Sequence, residues 1–109
     1  MSVSAAEARR LALALPGALE QDHHGRASFR VGGAIFATLW DDRTVNAMLD
    51  EDGIRTAVHG LPAACSERFW GTRLSAVQID LGAIEGPQLA ALLRDAWEHR
   101  GRARPTGDD

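Results

Sequence analysis

Apolar side chains near the start of the chain recur three and four positions apart, which is the spacing of one face of a helix. This pattern runs over residues 8–15. Ser4 and Glu7 precede it with the spacing of a capping box, in which Ser4 is the N-cap and Glu7 reaches back to it. Pro16-Gly17 cannot continue a helix. The pattern therefore predicts an amphipathic first helix that ends at this pair.

After the first helix the period of the apolar positions changes to two, which is typical of strands. Residues 28–31 and residues 34–40 predict two strands, and Gly32-Gly33 between them is a two-residue hairpin signal. Residues 44–49 predict a strand that runs back after a turn. Residues 19–24 predict a further strand, although their polar character also fits a loop. This part of the chain is therefore predicted to be three or four antiparallel strands.

The second half of the chain predicts a helix and then two more strands. Asp50 is a suitable N-cap for a short helix over residues 51–59, whose first turn is acidic. Residues 61–67 have no regular pattern and are predicted to be irregular. Residues 68–70 and residues 72–81 predict two strands that meet at a glycine. Short connections throughout favour antiparallel pairing.

A final helix is predicted from Gly86-Pro87, because proline fits the first position of a helix. Its apolar stripe ends shortly before Gly101, where the helix is expected to stop. The residues of the stripe are Leu89, Leu92, Leu93, Ala96 and Trp97. Residues 1–101 are therefore predicted to form a single domain, and residues 102–109 a disordered tail.

The order of these elements predicts an α+β fold, a two-layer sandwich with an antiparallel sheet and the helices on one face. Ile35, Ala37 and Leu39 would then face the helices. Phe36 and Trp40 would lie on the opposite face, which predicts a surface for a partner, a dimer mate or a ligand. The alternative, that a bent sheet or the loop 61–67 covers these two rings, stays open.

Composition and charge limit the classes of protein to which this chain can belong. A chain of 109 residues is long enough for one hydrophobic core without disulfides or metal. Its single cysteine, Cys65, fits a reducing cytoplasm, and the absence of a long apolar run argues against a membrane protein or a secreted one. All twelve basic residues are arginine, yet the net charge is −3. Nucleic acid binding would therefore require arginines concentrated on one surface.

The residues "LALALPGALEQDHHGRASFRVGGAIFATL", followed by "MLDEDG", "FWG", "VQIDL" and "LLRDAWEHR", resemble the pattern of the MmcQ/YjbR family over almost the whole chain. The resemblance implies a bacterial, cytoplasmic α+β domain without a known catalytic set. Its members have been described as DNA-binding because their hairpins look like the wings of winged DNA-binding domains. The pattern departs at Ala34 and Met48, where many members carry lysine. Arg26, Arg30 and Arg43 are hypothesised to replace these cations in a basic hairpin. The alternative, that Arg26 and Arg30 lie on a solvated strand face and pair with Asp22 or Asp41, stays open.

Other candidate chemistry in the chain is weaker. His23 and His24 are adjacent, so on a strand they point to opposite faces and are poorly suited to one metal ion. Cys65 and His59 lack an orienting third group and an oxyanion hole. We therefore predict no catalytic residue, no metal and no cofactor.

Three hypotheses for function follow from the sequence. The first is a non-enzymatic module that contacts DNA weakly, in a salt-dependent way, through the hairpin of residues 26–43. The second is a protein–protein or self-association module, such as a homodimer, that uses the sheet face around Phe36 and Trp40. The third is a small-molecule site between the sheet and the helices, lined by Trp40, Phe69 and Trp70.

Overall fold

A computed structural model describes residues 2–103 of the chain, and they form six strands and three helices in the predicted order. The α+β sandwich with an antiparallel sheet is confirmed. The elements are α1 (Ala5–Leu13), β1 (Leu19–His23), β2 (Arg26–Val31), β3 (Ala34–Asp41), β4 (Thr44–Ala47), α2 (Glu51–Gly60), β5 (Cys65–Trp70), β6 (Arg73–Asp80) and α3 (Gly86–Ala103), with a short 3₁₀ turn (Leu81–Ala83) before α3.

The first two helices begin at the capping residues that the sequence predicts. The Ser4 hydroxyl accepts a hydrogen bond from the Glu7 amide at 3.1 Å, and the Asp50 carboxylate accepts one from the Gly53 amide at 2.7 Å. Each cap satisfies a donor that has no partner inside the helix. The capping box also predicts that the Glu7 side chain reaches back to Ser4. Instead, the Glu7 carboxylate accepts hydrogen bonds from Arg10, one turn later in the helix.

The six strands form one antiparallel sheet in the order β1-β2-β3-β4-β6-β5. Its outermost hairpins are thus β1–β2 at one edge and β5–β6 at the other. Gly32 and Gly33 both have positive φ, +57° and +87°, as a two-residue hairpin turn of the mirror-image type requires. His24 and Gly25 form the same kind of turn between β1 and β2, with φ of 54° and 83°.

The hydrophobic core lies between one face of the sheet and the three helices. α1 and α3 pack mainly against β2, β3 and β4, while α2 packs against β5 and β6. The indole of Trp97 in α3 donates to the Pro16 carbonyl at 2.8 Å and ties α3 to the end of α1. The sheet contributes two rows of side chains to the core, Ala27-Leu39-Val45-Ile79-Cys65 and Phe29-Ala37-Ala47-Val77.

Phe36 does not lie on the exposed sheet face, so that prediction is wrong. Its side chain is fully buried in the core. The cause is a β-bulge, because Phe29 pairs with Ala37 while Arg30 pairs with Ile35, which leaves Phe36 as an extra residue in β3. A bulge interrupts the alternation of faces. Ile35, predicted to face the helices, is accordingly turned toward the opposite side of the sheet.

Several boundaries also differ from the prediction: β2 begins at Arg26 and β4 ends at Ala47. Residues 65–67, predicted to be irregular, are the first part of β5. α3 continues past Gly101 to Ala103, and the rest of the predicted tail, residues 104–109, lies outside the described residues. No helix in the described part of the chain is long and apolar enough to cross a membrane.

Candidate functional site

The sheet face opposite the helices carries a row of polar side chains across all six strands. Strand register aligns them as Gln21, Ser28, Thr38, Asn46, Gln78 and Ser66. Ser28, Thr38 and Asn46, in the middle of the row, are buried, with at most 7% of the residue exposed. The middle of the row is therefore shielded from solvent, whereas Gln21 and Ser66 at its ends are exposed.

A groove of about 1120 Å³ runs along this polar face. Thr38, Asn46 and Met48 form its floor. The β1–β2 hairpin forms one wall, the β5–β6 hairpin forms the other, and the last turns of α3 close one end. The wall and end residues include His23, His24, Arg26, Trp40, Trp70, Arg73, Ser75, His99 and Arg100. The pocket predicted between sheet and helices is instead filled by the hydrophobic core, and the groove lies on the other side of the sheet.

Trp40 is the centre of the groove's aromatic and cationic contacts. The Arg26 guanidinium lies 3.6 Å from the centroid of the Trp40 ring and also donates to the Trp40 carbonyl oxygen. The Arg68 guanidinium lies 5.0 Å from the same ring. Trp40 and Arg68 belong to β3 and β5, which β4 and β6 separate, so the contact spans roughly 14 Å of sheet at normal strand spacing. The polar face is therefore concave, and it brings the two edge hairpins toward each other.

The charged residues that line the groove are mostly arginines. Arg26, Arg73 and Arg100 are opposed by two carboxylates, Asp50 and Glu51, at the start of α2. The Arg100 Nε atom donates to the Ile35 carbonyl at 2.9 Å, which fixes its guanidinium at the groove's end. A chain with a net charge of −3 thus has an excess of cations at this one surface.

Three of the four histidines also line the groove, His23, His24 and His99. The rings of His23 and His24 are edge to face, with centroids 4.5 Å apart. His24 has a positive φ because it lies in the hairpin turn and not on the predicted strand. Within residues 2–103, no group of three or more side chains is arranged to hold a metal ion.

The three arginines predicted from the sequence do not form one surface. Arg26 lines the groove, and Arg30 donates to the Ser28 hydroxyl at 3.3 Å on the same face. Arg43 lies at the β3–β4 turn, 3.9 Å from Asp80, and lines a separate depression of about 460 Å³. Trp70 lines the groove, whereas Phe69 is exposed at the tip of the same hairpin and does not line it.

Sequence reasoning missed Arg73 and Arg100 as groove residues, and Arg68 as a neighbour of the Trp40 ring. Each lies in a segment whose pattern only indicates a strand or a helix end. Their convergence depends on β4 pairing with β6, which places the β5–β6 hairpin opposite Arg26. No signal within the sequence segments themselves could have found this.

Cys65 also lies away from the groove, next to the depression that Arg43 lines. It is 3% exposed, and burial raises the pKa of its thiol. A buried thiol with a raised pKa is a poor nucleophile. Asp41 lines the same depression, and a hydrogen bond from the Arg43 amide lowers the pKa of its carboxyl.

The fold and the groove define a small α+β domain with a concave sheet face lined by arginine and tryptophan. A family model described as YjbR matches residues 13–99, which include all six strands. The chain belongs to the YjbR family, and the resemblance noted in the sequence is confirmed. Comparisons with curated proteins and with solved structures give no match. The family's description names no ligand, and the groove is the feature of the structure that bears on function.

Proposed function

We propose that this chain is a non-catalytic binding module whose groove takes a single-stranded nucleic acid. The observation that carries the proposal is the stack of Arg26 on Trp40, with Arg73 and Arg100 lining the same concave surface. A strand needs cations for its phosphates and planar groups for its bases, and this groove supplies both. The sequence resemblance to proteins described as DNA-binding agrees with the proposal.

Two arginines of the groove, Arg26 and Arg100, suit phosphate contacts because they are held in defined positions. Arg26 is fixed by the Trp40 ring and the Trp40 carbonyl, and Arg100 by the Ile35 carbonyl. A guanidinium has five N–H donors, so one such bond leaves others for a ligand. Arginines that are already ordered lose less side-chain entropy on binding than mobile ones do.

A single strand fits the groove better than a duplex because of the exposed aromatic ring on its wall. Trp70 is 51% exposed and lines the groove. An exposed indole can stack on an unpaired base, whereas the bases of a duplex are already stacked on one another. The Arg26 guanidinium, which lies against the Trp40 ring, is a second planar group on which a base can stack.

The test is fluorescence anisotropy with labelled single-stranded and duplex DNA at roughly 50 mM salt, where phosphate-driven binding is strong. We expect the single strand to bind more tightly. Arg26→Gln and Arg73→Gln should each weaken it roughly tenfold, because one charge-assisted hydrogen bond contributes about 1.5 kcal/mol. Arg43→Gln is the matched control, since this exposed arginine lies outside the groove, and it should leave affinity unchanged.

Two results would contradict the proposal. Equal losses in the Arg43 and Arg26 variants would mean that net charge, not the groove, controls affinity. Binding of neither DNA, together with a dimer in sedimentation, would favour the second candidate, a self-association surface. That candidate is supported by Phe69 and Trp70, consecutive residues at the tip of the β5–β6 hairpin that are 47% and 51% exposed.

A further inference from the structure

The floor of the groove contains a polar side chain whose hydrogen bonding is incomplete. Asn46 lines the groove and is only 2% exposed, yet its Oδ1 atom has no hydrogen-bond partner among the described residues. A buried acceptor without a partner costs about 1–3 kcal/mol, and such a group in a folded protein requires an explanation. Its position on a groove floor points to a ligand as the missing partner.

The surroundings of Asn46 explain why the chain itself does not supply that partner. Its cross-strand neighbours are Thr38 on β3 and Gln78 on β6, and neither side chain donates to it. Ser28, the next residue in the polar row, differs because its hydroxyl donates to the Gln21 carbonyl at 2.8 Å and accepts from Arg30. The polar side chain of Ser28 at the β1–β2 edge therefore has hydrogen-bond partners, whereas Asn46 Oδ1 at the centre of the groove has none among the described residues.

A second unpaired group lies on the same concave face. The Arg68 Nε atom is buried and has no hydrogen-bond partner among the described residues, and its guanidinium lies 5.0 Å from the centroid of the Trp40 ring. The face thus holds an unpaired acceptor and an unpaired donor within one aromatic and cationic surface.

We propose that Asn46 is a specificity-determining residue that reads the edge of an adenine base in the bound strand. An asparagine carboxamide pairs with adenine through two bonds, in which Oδ1 accepts from the N6 amino group and Nδ2 donates to N7. Oδ1 is buried as the structure stands, so this pairing requires the carboxamide to turn about its last torsion angle until both of its ends face the base. The inference rests on the proposed nucleic acid function and adds to it a preference for adenine.

The test measures the affinity of the wild type and of Asn46→Leu for three strands of about 12 nucleotides, within the usual site size. The strands are oligo-dA, oligo-dT and oligo-dA containing 7-deazaadenine, which lacks the N7 acceptor but still stacks. We expect the wild type to bind oligo-dA at least about fivefold more tightly than the other two strands. Asn46→Leu should lose this preference and bind all three strands alike.

Each other outcome overturns the inference in a recognisable way. A wild type that binds oligo-dA and 7-deaza-oligo-dA equally does not read the adenine edge, although the proposed function would stand. An Asn46→Leu protein that keeps the preference excludes Asn46 as its source. A wild type that binds no strand removes both the inference and the proposed function. If Asn46→Leu fails to fold by circular dichroism, Asn46→Ala and Thr38→Val replace it in the same three titrations.

Discussion

Trp40 holds the guanidinium groups of two arginines next to its ring. The Arg26 and Arg68 guanidinium groups lie 3.6 Å and 5.0 Å from the centroid of its ring. A cation over a tryptophan ring gains about 0.5–2 kcal/mol, depending on solvent exposure. The ring therefore holds two arginines from distant strands in defined positions. We regard Trp40 as a positioning residue, and its own exposed fraction of 36% is less important than the groups it orders.

Cys65 makes stability depend on pH at the alkaline end. Burial raises the pKa of its thiol above the ordinary value of 9.0, so the folded state retains the proton that the unfolded state releases. Stability is then complete below that ordinary value and is lost as pH rises from it through the raised pKa of the folded state. We expect the free energy of unfolding to fall above pH 9, by at most about 1.4 kcal/mol per pH unit. Urea denaturation at a series of pH values measures this.

The composition of the chain leaves few other groups that could change its stability in this pH range. It contains no lysine and no tyrosine, so few other groups titrate between Cys65 and the arginines. Cys65→Ala should remove the alkaline loss of stability, apart from the contribution of the terminal amine. An unchanged pH profile in this variant would show that another group causes it.

The start of α2 combines a structural role with a role in the groove. Asp50 caps the helix through the Gly53 amide, and its carboxylate also lines the groove. We expect Asp50→Ala to lower the free energy of unfolding by about 1 kcal/mol, because the cap is lost. Asp50→Asn should keep the cap and tighten strand binding slightly, because a negative charge leaves the groove. Urea denaturation and anisotropy on the two variants separate the roles.

A result in which both Asp50 variants bind a strand as the wild type does would exclude this carboxylate from the groove's electrostatics. Equal destabilisation by alanine and by asparagine would mean that the negative charge at the helix start, and not the hydrogen bond, supports α2.

Local sequence signals predicted most of the helices, strands and turns. The features that they did not predict depend on how the strands pair. Ser4, Asp50 and Gly32-Gly33 fix helix starts and a turn through interactions with residues next to them. The bulge that buries Phe36 arises from the register between β2 and β3, which alternation within β3 alone does not contain. The groove depends on the pairing of β4 with β6 for the same reason. Its floor residue Asn46 was not predicted as a site, because in the sequence it is one polar position in a short strand.

The distribution of charge over the chain gives a prediction for binding in salt. The chain has a net charge of −3 at neutral pH, so affinity for a strand must come from the arginines of the groove. For single strands each neutralised phosphate contributes about 0.7 to the slope of log affinity against log salt concentration. If Arg26, Arg73 and Arg100 each neutralise one phosphate, the slope should be about −2, and Arg26→Gln should reduce it to about −1.4.

Anisotropy titrations from roughly 50 to 200 mM salt measure this slope, and affinity should fall by roughly 15-fold over the range. A slope near zero would mean that phosphates are not contacted. A slope far steeper than −2 would mean that arginines outside the groove, such as Arg43, also take part.

The walls of the groove lie on hairpins at the two opposite edges of the sheet, and its floor lies on the strands between them. The site therefore exists only when every strand pair has formed, and no single hairpin contains enough of it to hold a ligand. A ligand that binds the native state alone shifts the folding equilibrium toward that state, by RT ln(1 + [L]/Kd). If the groove binds a strand as proposed, groove occupancy and resistance to unfolding rise together, and the apparent stability of the chain in a cell depends on the supply of that ligand.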